Sequence, residues 1–107
     1  MVSGGSDAPV TTANPLVGVD CLLTHRLEPG GATLNADQSV SLDQALRVYT
    51  YNGAYASGEE ALKGSLEVGK LADLVVLSGS LVEAAPDRVT ELSVDLTMLA
   101  GRAVYER

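Results

Sequence analysis

Phenylalanine and tryptophan are absent from this chain of 107 residues, and 4 tyrosines carry all of its aromatic bulk. The core must therefore be aliphatic, drawn from Leu, Val and Ala. The single cysteine, Cys21, excludes an internal disulfide framework and a thiolate zinc site, and it accords with a reducing compartment. The single histidine, His25, leaves no imidazole pair to hold a metal and only one base for a serine-type triad, and no G-x-S-x-G elbow accompanies it. Lysine occurs only at Lys63 and Lys70, and 7 basic against 14 acidic residues give a net charge of −7. Such a surface repels nucleic acid and anionic lipid, so neither is expected as a partner. Apolar runs such as Leu74 to Leu77 are far too short to cross a bilayer, and Met1 to Asp7 have neither the positive start nor the apolar stretch of a secretory signal. The expected location is cytoplasmic.

What is present is a hydrophobic fraction of 46% with 20% charged residues, ordinary for a globular chain. The length sets a ceiling of one compact unit, with about 5,600 Å² of surface when folded, and a complete (β/α)₈ barrel does not fit. Met1 to Ala13 is rich in Gly, Ser, Thr and Pro, with a hint of strand at Val2 and a turn at Gly4-Gly5, and reads as a cut end rather than a beginning. Asn14 as a cap and Pro15 at the first helical position predict a helix carrying Leu16, Val19, Leu22 and Leu23, with Gly18 as its weak point. Glu28 to Asp37 is expected as a loop.

Ser41-Leu42-Asp43-Gln44 has the spacing of a capping box, and Leu42, Ala45, Leu46 and Tyr49 follow at i, i+3, i+4 and i+7. That helix should be interrupted near Asn52-Gly53 and stop at Gly58. The period then changes: Leu66 to Val68 and Ala72 to Leu77 read as strands around a Gly69-Lys70 turn, the second covered on both faces. Ser78 to Arg88 reads as loop. The alternation of Leu92, Val94, Leu96 and Met98 with polar residues predicts a half-buried strand, returning through a two-residue turn at 100–101 or 101–102 that sets Tyr105 opposite Leu96 or Met98, on the apolar face. Helices first and strands last, without an internal repeat, make an α+β chain.

Few residues here carry chemistry. His25 near a helix end and Cys21 on a helix read as a capping histidine and a small hydrophobe. Gly4-Gly5-Ser6 lacks the spacing of a phosphate loop. Asp7, between that turn and Ala8-Pro9-Val10, reads on composition alone as a turn aspartate.

Gly5-Ser6-Asp7-Ala8-Pro9-Val10 nevertheless resembles the end of the eighth barrel strand in amidohydrolase family 3, a branch of the metal-dependent hydrolases. Leu42 to Ala56 is similar to that family's Tyr-Thr-x-x-Gly-Ala-Tyr helix. Glu60 to Leu77, reading EALKGSLEVGKLADLVVL, resembles its Gly-Ser-Leu-Glu signature, and Thr97 to Tyr105 its closing hairpin. The resemblance implies the C-terminal segment of a (β/α)₈ barrel enzyme, with residues 1–60 ending the barrel and residues 61–107 supplying strands of a small composite β-sandwich. It implies a hydrolase of non-peptide C–N bonds in small-molecule amides, formamides among them, using a divalent metal, zinc. Asp7 then stands at the metal as general base, while the other ligands lie upstream, so this segment alone should bind no metal and be inactive. Asp73, in an apolar run, should be structural and bonded to backbone N–H groups of the preceding turn, and Tyr49, Tyr51 and Tyr55 should serve core and interfaces. An alternative within the same resemblance is a non-catalytic regulator of exoenzyme production, or an interaction module. Strands deprived of their neighbours would expose edges and apolar faces, which predicts a homo-oligomer.

Overall fold

The first helix, α1 (Pro15–Thr24), begins where Asn14 leaves extended backbone and its Oδ1 accepts the Leu16 N–H at 3.0 Å. It stops at His25, whose left-handed backbone (φ 51°) sends its N–H to the Cys21 carbonyl at 2.8 Å. This computed structural model describes residues 1–26 and 31–107, so the Glu28 to Gly30 part of the expected loop lies outside the described residues. The described remainder holds an Arg26–Thr33 bridge and a 3₁₀ turn at Ala36–Gln38.

Helix α2 (Leu42–Tyr49) has the anticipated capping box: the Ser41 hydroxyl accepts from Gln44 N–H at 3.3 Å, and Gln44 Oε1 accepts from Ser41 N–H at 2.9 Å. The interruption comes earlier than expected. Thr50 leaves helical geometry (φ −127°, ψ −92°) while its hydroxyl donates back to the Leu46 carbonyl at 2.8 Å, and Asn52-Gly53 lie inside the next helix, α3 (Tyr51–Ala56). A threonine that bonds the preceding turn competes with the backbone ladder, which explains a break that Asn-Gly punctuation misplaces. The chain turns off at Gly58 (φ +70°), as its flexible backbone allows.

Leu66 to Val68 form no strand and are exposed. With the Gly69 turn they belong to a loop whose Gly64 presses on the α2–α3 junction, where a Cβ would lie 2.7 Å from that of Ala54. Strand β1 is Leu74–Leu77, and within this chain its two faces are not both covered: Val75 and Val76 are 56% and 44% exposed. The expected loop after it contains a short helix, α4 (Leu81–Ala84), capped by Ser80, and a 3₁₀ turn at Val89–Glu91. Strands β2 (Val94–Leu99) and β3 (Arg102–Glu106) complete an antiparallel sheet in the order β1-β2-β3.

The β2–β3 loop is Ala100-Gly101, both at positive φ (48° and 77°), as a twist-matched two-residue hairpin requires. Tyr105 faces neither Leu96 nor Met98. Val104 is an extra residue on β3, so Tyr105 pairs with Thr97 and its ring is 50% exposed rather than seated on the apolar face. One inserted residue reverses the side-chain alternation beyond it. The core lies where α1, α2 and the second 3₁₀ turn meet: Leu16, Val19, Ala45 and Val89 are buried, with Leu77, Leu81 and Leu92 packed around them. Helices and strands therefore share one aliphatic cluster in an α+β arrangement.

Candidate functional site

Three contacts lay the N-terminal residues over the helices. Gly4 N–H donates to the Val48 carbonyl at 3.0 Å, and Asn52 Nδ2 donates to the Val2 carbonyl at 2.7 Å. The Tyr49 ring fills the space that Cβ atoms on Gly4 and Gly18 would occupy, at 2.9 Å and 1.9 Å from its nearest atoms. Gly18, expected as the weak point of α1, is thus where the Tyr49 ring of α2 lies against α1. Beyond Gly5 the chain makes a tight turn: Val10 N–H donates to the Asp7 carbonyl at 2.8 Å, and the Thr11 hydroxyl donates to the Ser6 carbonyl. Asp7 stands on this turn, exposed, in left-handed backbone (φ 53°), a conformation Asp tolerates better than most residues.

Asp7 is not joined by a ligand set among the described residues. Among the described residues no three His, Cys, Asp or Glu side chains come together as a metal site. The side chains present therefore do not by themselves fit a catalytic ion. His25 is the C-cap of α1 and accepts the Leu34 N–H on its carbonyl at 2.9 Å, the capping role read from its position. Burial and the neighbouring Asp20 push the Cys21 thiol up, away from the thiolate a nucleophile needs.

Asp73 is structural, through partners other than those expected. Its Oδ1 accepts Ala100 N–H at 2.7 Å and the adjacent Ala72 carbonyl accepts Gly101 N–H at 3.1 Å, so it fastens the following hairpin rather than the preceding turn. Tyr49 packs against the core. Tyr51 has Arg47 and Lys70 over its ring at 5.1 and 5.8 Å, and Lys70 Nζ also donates to Ser65 Oγ at 2.7 Å, clipping the Gly64–Lys70 loop to the helices. Tyr55 is 51% exposed and belongs to no core in this chain.

One residue escaped the sequence reading. Asp20, on α1, is 1% exposed, and its Oδ2 has no hydrogen-bond partner among the described residues. Burial raises its carboxyl above the usual carboxylate range, and nearby Arg26, itself paired with Asp87, only partly opposes this. The signal was available: position 20 lies at i+4 from Leu16, inside the stripe that carries Val19 and Leu23.

A model of the amidohydrolase family matches residues 1–105. The chain belongs to that family. This amidohydrolase chain is 41% identical over 106 residues to an N-substituted formamide deformylase of Arthrobacter pascens, covering 99% of the chain and 19% of the relative. It is 29% identical over 109 residues to the putative amidohydrolase YtcJ of Bacillus subtilis (strain 168), covering 100% of the chain and 21% of that protein. The crystal structure of an amidohydrolase from Thermotoga maritima MSB8 superposes on 66% of the chain and 17% of its own length, with a TM-score of 0.55 and 32% identity. The chain thus spans about a fifth of the length of the curated relatives it matches. Among the described residues no helix is long and apolar enough to cross a membrane.

Proposed function

We propose that these residues form the C-terminal portion of an amidohydrolase that hydrolyses C–N bonds of small amides, N-substituted formamides among them. The 41% identity to a formamide deformylase over 99% of the chain carries this reading. In it, residues 1–60 end a (β/α)₈ barrel and residues 61–107 supply strands of a composite β-sandwich. Asp7 is the one carboxylate this chain brings to the reacting centre. An exposed carboxylate on a tight turn is free to accept a proton from the attacking water and return it to the departing nitrogen, so that water adds across the C–N bond to give a carboxylic acid and an amine. A divalent metal, zinc in this reading, would be held by groups from other parts of the whole protein, and the 107 residues alone would be inactive. Location in the cytoplasm and self-association through exposed strand edges are part of the same reading.

The test is formate release from an N-substituted formamide by a protein carrying this chain together with its upstream barrel. Asp7→Asn is expected to lower kcat by about 100-fold or more, the scale of a lost general base, with an unchanged melting temperature. Undiminished turnover in that variant would remove Asp7 from the chemistry, and absence of any amide hydrolysis would remove the substrate class.

A further inference from the structure

We infer that Tyr49 and Asn52 are positioning residues for Asp7: they hold the glycine-rich stretch that carries its turn and so fix where the carboxylate stands. This rests on the reading of Asp7 as general base and deepens it, by naming the side chains that keep that base in place.

The turn settles its own shape but not its place. Its hydrogen bonds, from Val10 N–H to the Asp7 carbonyl and from the Thr11 hydroxyl to the Ser6 carbonyl, begin and end within residues 6–11. Residues 1–13 belong to no helix or strand, and Gly4-Gly5, just before the turn, have the widest backbone freedom of any residue type. Such a stretch keeps one position only if contacts to the rest of the fold offset the entropy of fixing it.

Those contacts converge on the end of α2 and the start of α3, where Tyr49 and Asn52 lie on either side of the Thr50 break. Upstream of the turn, Asn52 Nδ2 donates to the Val2 carbonyl at 2.7 Å, and a Cβ on Gly4 would lie 2.9 Å from the Tyr49 ring carbon Cζ. Downstream, the Thr12 hydroxyl oxygen accepts the Asn14 N–H at 3.2 Å, and Asn14 caps α1. Gly18 of that helix meets the same ring, since a Cβ there would lie 1.9 Å from the Tyr49 hydroxyl oxygen. Tyr49 therefore touches both flanks of the Asp7 turn. Its ring is rigid and packed against the core, so it sets the spacing between them, while the Asn52 hydrogen bond sets how far along its path the stretch is drawn.

A general base acts only within hydrogen-bond reach of the proton it takes, and a displacement of about 1 Å can cost about 100-fold in rate. Loosening either hold leaves the carboxylate in the protein but not in its place, so kcat should fall more than KM rises.

The test uses the whole protein, this chain with its upstream barrel, and reads hydrogen–deuterium exchange of peptides spanning residues 2–12 together with hydrolysis of an N-substituted formamide. Asn52→Asp keeps the size of the side chain and sets an acceptor against the Val2 carbonyl. It should speed exchange in those peptides several-fold and lower kcat by about 10-fold or more, with KM changed by no more than a factor of about two. Tyr49→Leu should do the same. Tyr49→Phe, whose ring carbons still reach both glycines, should match the parent in exchange and kcat. Val89→Ala, a truncation elsewhere in the core, should lower the melting temperature and leave both readouts unchanged. Parent-like exchange over residues 2–12 in both Asn52→Asp and Tyr49→Leu overturns the inference and assigns the hold on the turn to the upstream chain. A Tyr49→Phe protein as impaired as Tyr49→Leu, or a Val89→Ala protein equally impaired in kcat, overturns it too, because the loss then does not follow the ring. Failure of the hydrolase reading shows separately, as a parent without amide hydrolysis or an Asp7→Asn protein with undiminished turnover, and the exchange pattern still decides what holds the turn.

Discussion

Gly18 and Asp20 sit two positions apart on α1, and each departs from what its residue type usually does in a helix. The glycine is there because the Tyr49 hydroxyl lies 1.9 Å from where a Cβ would be. The ring is rigid and held by the core, so it has little room to yield. Gly18→Ala is expected to destabilise the chain by about 1–3 kcal/mol despite alanine's better helix propensity. Urea denaturation should show that the penalty shrinks in the Gly18→Ala, Tyr49→Leu double variant, where a flexible side chain replaces the ring. Asp20 is the opposite case, a group that burial disfavours in its charged form. Its folded carboxyl titrates above the unfolded value, so its contribution to stability is complete below the unfolded value near 3.8 and is lost as pH rises through the folded one. Asp20→Asn should therefore be more stable than the parent at neutral pH, with the gap closing as the pH falls. Denaturation midpoints across that range check the sign, and a gap that widens towards acid would contradict it.

At the scale of elements, local side-chain chemistry decides most boundaries. The capping box on α2 satisfies two otherwise orphaned donors, so Ser41→Ala should cost about 1 kcal/mol and fray the first turn, seen as faster amide exchange at Asp43 and Gln44. The starts of α1 and α2 were legible because Asn14-Pro15 and Ser41 with Gln44 act within three residues of themselves. The Thr50 break, the α4 turn and the lack of a strand at Leu66 to Val68 were not. The Thr50 break comes from a side-chain bond to the preceding turn that hydrophobic spacing does not record, whereas the other two depend on packing: Leu81 reaches the common core, and Leu66 and Val68 stay exposed. Tyr105 makes the same point within a strand, where one extra residue at Val104 overrode the register that a plain two-residue hairpin implies.

For the molecule as a whole, a small aliphatic core holds helices and strands together while the β1 edge of the sheet remains open. The same openness explains why the candidate site was only partly legible. Asp7 was found through its motif and proves exposed on a tight turn, but nothing on its own turn identifies its chemistry, since a carboxylate acts on a reacting atom only with neighbours brought from elsewhere. Asp20 went unread for the converse reason: burial belongs to the packed helix rather than to any short stretch of residues.

Composition and local spacing alone determined the aliphatic character of the core, the acidic balance and the two capped helices, and a resemblance of linear motifs pointed to the family. All of these rest on interactions a few residues long or on motifs that survive in linear form. Only the tertiary structure decided that Gly18 is a contact, that Asp20 is buried, that Asp73 fastens the later hairpin, that Tyr105 faces outward and that β1 has a free edge. Each of those depends on which distant segments fill or leave a given space, and side-chain periodicity carries no record of that.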